Sequence, residues 1–141
     1  MTTANEAPLD SPLRGIPNVI LTPHVAGSTE EAQEKIGTEV AGKLVAYSDH
    51  GSTVGAVNFP EITLAPHGEA NRVLHIHENV PGMLQRINSV IDGEGINVLA
   101  QHLETRKGVG YVVFDIEKQA STALLDRLKE IPGTIRARIL R

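Results

Sequence analysis

Hydrophobic and polar residues follow two different periods in the C-terminal half of the chain. The alternation of Leu74 and Ile76 with His75 and His77 predicts a β-strand over residues 72–77 that carries both histidines on one face. Apolar residues then recur every three or four positions, which predicts a helix ended by Gly93 and Gly95. The residues on this helical stripe are Met83, Leu84, Ile87, Val90 and Ile91.

The same periods return further along the chain. Residues 96–104 and 111–116 predict two strands that are joined at Lys107 and Gly108, the pattern of a hairpin. A second helical stripe follows, made of Ala120, Leu124, Leu128 and Ile131. A last strand alternates Ile135, Ala137 and Ile139 with Arg136 and Arg138, which alternation assigns to the open face of the sheet. The order βαββαβ predicts an α+β, ferredoxin-like fold, with a four-stranded antiparallel sheet and both helices on one face.

The N-terminal part of the chain shows weaker patterns. Residues 19–21 form an apolar run between prolines that predicts a short buried strand, and residues 52–60 predict one extended segment. Between them a long helix is predicted over about residues 29–50, with Ser28 and Glu31 as its capping box. One face of this helix carries Ala32, Ile36, Val40, Leu44 and Tyr47.

Prolines and glycines mark a boundary between these two regions. Pro66 and Gly68 interrupt any regular pattern before the first well-defined strand. We therefore predict a linker at residues 67–71, which separates residues 1–66 from a domain at residues 72–141.

The junction between the strand at residues 72–77 and the following helix is the strongest candidate for a binding site. Asn79 is placed to cap the helix, and Pro81 lacks the amide that would be left unpaired there. A helix N-terminus presents free N–H groups and partial positive charge, which suit a carboxylate or a phosphate. Because His77 and Asn79 flank it, we interpret the junction as a turn that binds a small anion or an amino acid.

Composition limits the classes of partner. Thirteen Lys and Arg residues against 17 Asp and Glu residues give a net charge of −4, which argues against nucleic acid and against an anionic membrane. The sequence contains no apolar run of membrane-spanning length and no N-terminal signal pattern, so we expect a soluble, cytoplasmic protein.

The paired histidines of the first strand raise the question of a metal. His75 and His77 could bridge one ion if a third ligand arrived, and His102 is the candidate for that place. With no cysteine and no carboxylate placed by spacing, we expect no metal site and favour an interface or ligand role.

Two segments together resemble the C-terminal part of the D-3-phosphoglycerate dehydrogenase family, which catalyses the first step of serine synthesis. The upstream segment is NVILTPHVAGSTEEAQEKIGTEVAGKLVAYSDHGSTVGAVNFPE, at residues 18–61; the downstream segment contains LHIHENVPG, GINVLAQHL and the closing IPGTIRAR. The resemblance implies that residues 72–141 are an ACT regulatory domain. Residues 1–66 would be a remnant of the α/β nucleotide- and substrate-domain region.

The resemblance also implies roles for single residues. His24, in the TPH motif, would be the catalytic histidine that exchanges a proton with the substrate hydroxyl. Ala26 and Gly27 would lie beside the nicotinamide of NAD, although the family often has a glycine pair there.

The resemblance further implies a feedback site for L-serine in a homo-oligomer joined through its ACT domains. His77 and Asn79 of one subunit and Asn97 of its neighbour would bind the amino acid. The family commonly has Arg at the position of Val80, so one charged contact is missing here. The glycine-pair hinge that the family has before this domain is reduced to Gly68.

Other expected parts of a dehydrogenase are not seen in this sequence. No G-x-G-x-x-G motif follows a predicted strand, and the glutamate that would pair with His24 would fall at about Met1. We therefore expect the chain alone to bind no NAD and to be catalytically inactive, as a fragment or a truncated gene product. Three hypotheses remain: a serine-binding regulatory fragment, one part of a two-chain NAD-dependent dehydrogenase, or an assembly module without a ligand.

Overall fold

The computed structural model describes residues 10–22, 24–117 and 121–140. The chain forms two compact units, Met1–Thr38 and Glu39–Arg141, and the division falls inside the first helix. The elements are α1 (Glu30–His50), β1 (Asn71–Glu78), α2 (Met83–Gly93), β2 (Val98–Arg106), β3 (Val109–Ile116), α3 (Thr122–Lys129) and β4 (Thr134–Leu140). From β1 onward this order is βαββαβ, so the predicted α+β fold is confirmed.

The four strands form one antiparallel sheet in the order β2-β3-β1-β4. The hairpin between β2 and β3 turns at Lys107 and Gly108, whose φ angles of 49° and 81° are those of a type I′ turn. The two central strands are buried on both faces, whereas β2 is an exposed edge. Its exposed apolar side chains include Val98, Leu99 and Leu103.

Helices α2 and α3 cover one face of the sheet and form the main core. Ser121 caps α3, because its hydroxyl accepts a hydrogen bond from the amide of Leu124 at 3.1 Å. The hydrophobic side chains buried here are mostly aliphatic, with Phe114 as the aromatic member, in keeping with an aromatic content of 3%. They include Val73, Met83, Ile87, Ile91, Val112, Phe114, Leu124 and Leu128. Ala120, which we predicted on the same helical stripe, lies outside the described residues.

The opposite face of the sheet is covered as well, which corrects the prediction of an open face. Residues 52–64 fold back on themselves through the amide of Thr53, which donates to the carbonyl of Ile62 at 2.8 Å. The apolar side chains of this segment pack on the sheet: Phe59, Ile62 and Leu64 contact the cluster of Leu74, Tyr111 and Val113. Arg138 lies over the ring of Tyr47, 5.6 Å from its centroid, so it is not a free surface arginine. Strand alternation identifies the two faces but not what packs on each of them.

A buried arginine ties this covering segment to the sheet. Arg72 on β1 makes a two-pronged ion pair with Asp115 on β3, at 2.6 and 2.8 Å. Its third nitrogen donates to the carbonyl oxygens of His50 and Ala65, each at 2.8 Å. One guanidinium group therefore joins two strands, the end of α1 and the segment that leads into β1.

Two predictions for the N-terminal unit are wrong. The run at residues 19–21 is not a strand, and its side chains are exposed; a strand needs hydrogen-bonding neighbours, and none pairs with this run among the described residues. Helix α1 begins one residue later than the predicted capping box requires. Its cap is Thr29, whose hydroxyl accepts from the amide of Ala32 at 3.1 Å, and not Ser28.

Candidate functional site

The end of β1 and the start of α2 enclose a small cleft of about 220 Å³. His77 and Asn79, both predicted as site residues, line this cleft together. Its other walls are formed by Val80, Gly82, Met83, Leu84 and Gln85, and by Leu103 from the edge strand β2. The cleft therefore lies where the sequence placed the binding turn.

Gly110 on β3 makes room for the imidazole of His77. The two residues are direct partners across the β1–β3 pair. A Cβ atom at position 110 would overlap Nε2 of His77 and would lie 2.8 Å from its Cδ2 and Cε1 atoms. The absence of a side chain at Gly110 is therefore what lets the buried ring lie across the sheet. We did not single out this glycine from the sequence, although a lone glycine inside a strand commonly marks such a close approach.

Asn79 is held by the hairpin turn and does not cap the helix, which corrects the prediction. Its backbone amide donates to the carbonyl of Gly108 at 2.8 Å. Helix α2 instead begins after Gly82, whose φ of 80° is left-handed and which provides no side-chain cap. The reason is an extra turn, closed by the amide of Met83 and the carbonyl of Val80 at 3.3 Å, which separates Asn79 from the helix.

His75 and His77 form a buried pair behind the cleft. Their Nδ1 atoms are 3.3 Å apart, and their side chains are 0% and 1% exposed. Burial lowers the pKa of His75 to about 4 and also lowers the pKa of His77. Both rings are therefore neutral at pH 7.

Burial of this pair predicts a loss of stability in acid. An unfolded histidine has a pKa of about 6.5, so the unfolded chain binds protons before the folded chain does. The free energy of unfolding should therefore hold above about pH 6.5 and fall toward pH 4, by up to about 3 kcal/mol from His75 alone. Urea unfolding between pH 7 and pH 4.5 measures this slope.

Matched histidine variants separate this effect from general acid sensitivity. His75→Asn should flatten the slope, whereas replacement of the exposed His24 by glutamine should leave it unchanged. An equal slope in His75→Asn and in the parent chain would contradict the assignment.

Thr134 belongs to the same group and was missed at the level of sequence. A bulge in the β1–β4 pairing puts Thr134, and not Ile135, opposite His77. The hydroxyl of Thr134 is consequently 3.0 Å from Nε2 of His75, while Ile135 is 57% exposed although alternation predicted it to face the core. A bulge reverses the alternation beyond it, and the pattern of apolar residues carries no signal of it.

The described residues contain no group of three His, Cys, Asp or Glu side chains arranged to hold a metal ion. His102, considered above as a third ligand, is exposed on β2. The two remaining histidines contact each other through their Nδ1 atoms.

Asn97 lies away from the cleft within the same chain. It directly precedes β2, and its side chain is exposed and donates to Glu117 at 3.2 Å. The β3 partner of His77 is Gly110, which pairs in turn with Thr105 on β2. Asn97 is eight residues from Thr105, or roughly 27 Å along a strand. The structure therefore brings His77 and Asn79 together but not Asn97.

The residues predicted around the catalytic position lie in the N-terminal unit. His24 and Ala26 are exposed and Gly27 is half-buried, in a turn closed by the amide of Ser28 and the carbonyl of Val25 at 3.0 Å. Such an exposed turn does not by itself form a cradle for a nicotinamide ring.

A second, larger cleft of about 380 Å³ lies between the C-terminal half of α1 and the loop that follows it. Its walls are mostly apolar and include Val40, Leu44, Tyr47, Val54, Phe59 and Ile76. Binding sites usually combine apolar walls with convergent polar groups, and the smaller cleft has these in His77 and Asn79. None of the helices among the described residues is long and apolar enough to cross a membrane.

Comparison with known protein families identifies the class of the βαββαβ unit. Residues 73–136 match the family model described as "AHAS small subunit-like ACT domain". The βαββαβ unit is therefore an ACT domain.

The chain as a whole matches the C-terminal region of D-3-phosphoglycerate dehydrogenase. It is 57% identical to the enzyme of Haemophilus influenzae over 92% of the chain and 32% of that protein. It is 55% identical to the Escherichia coli K12 enzyme over 96% of the chain and 33% of that protein. Among solved structures, the ACT domain from GTP pyrophosphokinase of Chlorobium tepidum is similar with a TM-score of 0.45 and 23% identity, over 50% of this chain and 95% of that one. The chain spans about a third of the length of the curated relatives it matches.

Proposed function

We propose that this chain is the regulatory segment of a D-3-phosphoglycerate dehydrogenase and that its ACT domain binds L-serine as a feedback inhibitor. The observation that carries the proposal is the cleft that His77 and Asn79 line at the end of β1. Its volume of about 220 Å³ is below the roughly 300–1,000 Å³ of sites for drug-sized ligands. A cleft of this size, with an imidazole and an amide at its wall, suits a small amino acid.

The position of Asn97 supports a site shared between two subunits. Asn97 is too far along β2 to reach the cleft of its own chain, but β2 is an exposed sheet edge that can pair with a second copy. An antiparallel β2–β2 pair centred on Gln101 would place the partner's Asn97 beside Thr105, level with His77. The homo-oligomer would thus complete each binding site with a residue from the neighbouring subunit.

In the whole enzyme, serine held between two ACT domains would restrain the movement that opens and closes the catalytic cleft. We propose NAD as the cofactor of that enzyme and 3-phosphoglycerate as its substrate, with His24 as its catalytic histidine and Ala26 and Gly27 beside the nicotinamide. We also propose the domain division at residues 67–71 and a location in the cytoplasm.

Calorimetric titration of the purified chain with L-serine tests the proposed function directly. We expect saturable heat with one site per chain, and much weaker binding of D-serine and glycine. Equal heats for the two enantiomers, or no heat at millimolar L-serine, would refute the proposal.

A mixture of two defective variants tests whether the site is shared. His77→Ala and Asn97→Ala should each weaken L-serine binding by about tenfold, because each removes a polar contact from every site. After the two variants are mixed and allowed to exchange subunits, hybrid dimers should regain one intact site of two. Titration of the mixture should then show about a quarter of all sites with parental affinity, while each variant alone shows none.

Recovery in the mixture is not expected if His77 and Asn97 act within one chain. Failure of the mixture to regain affinity, with subunit exchange demonstrated by mass-tagged chains, would contradict a shared site.

Val80 offers a gain-of-function test. It lines the cleft, is 41% exposed and stands where the family commonly has arginine. Val80→Arg adds a cation that can pair with the carboxylate of serine, and we expect three- to tenfold tighter binding. Val80→Gln has similar length without charge and should change the affinity little. An unchanged dissociation constant for Val80→Arg would place the carboxylate of serine elsewhere.

A further inference from the structure

The hydrogen bonds around His75 determine which of its nitrogens carries the proton. Nε2 of His75 lies 3.0 Å from the hydroxyl of Thr134 and 3.4 Å from the carbonyl of Leu128. The hydroxyl of Thr134 has one hydrogen, which it donates to that same carbonyl at 3.1 Å. Both oxygens therefore face Nε2 as acceptors, so Nε2 is the nitrogen that carries hydrogen.

The position of the proton on His75 determines the position of the proton on His77. Because burial keeps His75 neutral, its Nδ1 atom has a lone pair and no hydrogen. The Nδ1 atom of His77 is 3.3 Å away and must be the donor of that contact. A neutral imidazole carries one N–H group, so Nε2 of His77 has a lone pair and is a hydrogen-bond acceptor.

The backbone is shaped to make this chain of contacts. Without the bulge in the β1–β4 pairing, Ile135 would lie opposite His77 and the hydroxyl of Thr134 would point to the other face of the sheet. Gly110 leaves space for the far end of the His77 ring. The bulge and the glycine together place one hydroxyl and two rings in a row, and the last ring, that of His77, lines the cleft.

We infer that Thr134 and His75 are positioning residues that hold His77 with Nε2 as an acceptor, so that the effector of this cleft presents an N–H or O–H donor to His77. The inference rests on the proposed function for the identity of the effector, but the proton positions do not depend on it. L-serine carries such donors in its ammonium and hydroxyl groups. A ligand with only carboxylate or phosphate oxygens would meet a lone pair and bind poorly.

Nitrogen-15 NMR of the histidine-labelled chain without ligand reads the proton positions directly. We expect His75 to be protonated at Nε2 and His77 at Nδ1 at pH 7.5. Finding the proton of His77 on Nε2 would overturn the inference, whether or not serine binds.

Two variants at one position test whether Thr134 determines these proton positions. Thr134→Val keeps the shape but removes the nearer of the two acceptors of His75 Nε2, so a population of His77 protonated at Nε2 should appear and L-serine should bind about five- to tenfold more weakly. Thr134→Ser should restore the parental tautomers and affinity. A purely structural role would not move the tautomers, so an unchanged spectrum for Thr134→Val would contradict the role of Thr134.

A ligand series separates this inference from the proposed function. L-Serine should shift the Nε2 resonance of His77, whereas propionate, which offers only acceptors at this pH, should not. The expected tautomers without any serine binding would refute the feedback proposal and leave the proton arrangement established. Binding of propionate as tight as that of L-serine would overturn the donor requirement.

Discussion

Gly110→Ala is expected to abolish detectable binding of L-serine to the ACT domain. The added methyl group would occupy the space of the His77 ring, which is buried and lines the cleft. The ring would therefore be displaced into the volume that we assign to serine. Loss of one hydrogen bond to a charged ligand alone weakens binding by roughly ten- to a hundredfold, and blockage of the cleft adds to that loss.

The effect should come from the cleft and not from the backbone at Gly110. Gly110 has no positive φ, so alanine meets no conformational strain there, in contrast to Gly108 at 81°. Gly42→Ala is the matched control, because that glycine lies in α1 with open space at its Cβ position. Gly42→Ala should keep parental affinity and gain up to about 1 kcal/mol of stability. Calorimetry with L-serine measures both variants, and parental affinity in Gly110→Ala would refute the placement of the site.

Arg72→Met is expected to destabilise the chain by about 3–5 kcal/mol. Arg72 is 3% exposed and pairs with Asp115, whose side chain is 15% exposed. Methionine would fill much of the volume but would leave a largely buried carboxylate and the carbonyls of His50 and Ala65 without their donor. Removal of one partner of a buried ion pair has a large effect because the other charge stays buried and uncompensated.

Two comparisons isolate the cause of that loss. Arg127→Met breaks the pair with Glu94, where the arginine side chain is 47% exposed, and should change stability by at most about 1 kcal/mol. Adding Asp115→Leu to Arg72→Met removes the uncompensated charge and should recover part of the stability. Urea unfolding followed by circular dichroism measures all of these variants. Equal losses for Arg72→Met and Arg127→Met would rule out a special role for the buried pair.

The secondary structure of the C-terminal domain was predictable because its elements bury one face each. Two- and 3.6-residue periods in the sequence identified β1, α2, the hairpin, α3 and β4, and their order defined the α+β fold. The glycine at the tight turn was equally visible, since Lys107 and Gly108 adopt the positive φ angles that such a turn needs. These are local features, determined by neighbouring residues.

Prediction was less successful where a contact joins distant parts of the chain. The run at residues 19–21 is not a strand, and the second face of the sheet is covered by residues 52–64. Local periodicity reports that a surface is apolar, but the partner that covers it is determined by tertiary packing.

The candidate site likewise combines features that were predicted from the sequence with features that only the structure showed. The sequence pattern placed His77 and Asn79 beside the junction of β1 and α2, whereas the assignment of Asn97 to a neighbouring subunit came from the family resemblance. Only the tertiary structure showed that Gly110 makes room for His77 and that Thr134 contacts His75. Gly110 and Thr134 reach the site through strand pairing, and the bulge that turns Thr134 inward is a property of two strands together. A single sequence determines the period of each strand, whereas the register between strands is decided when the sheet forms.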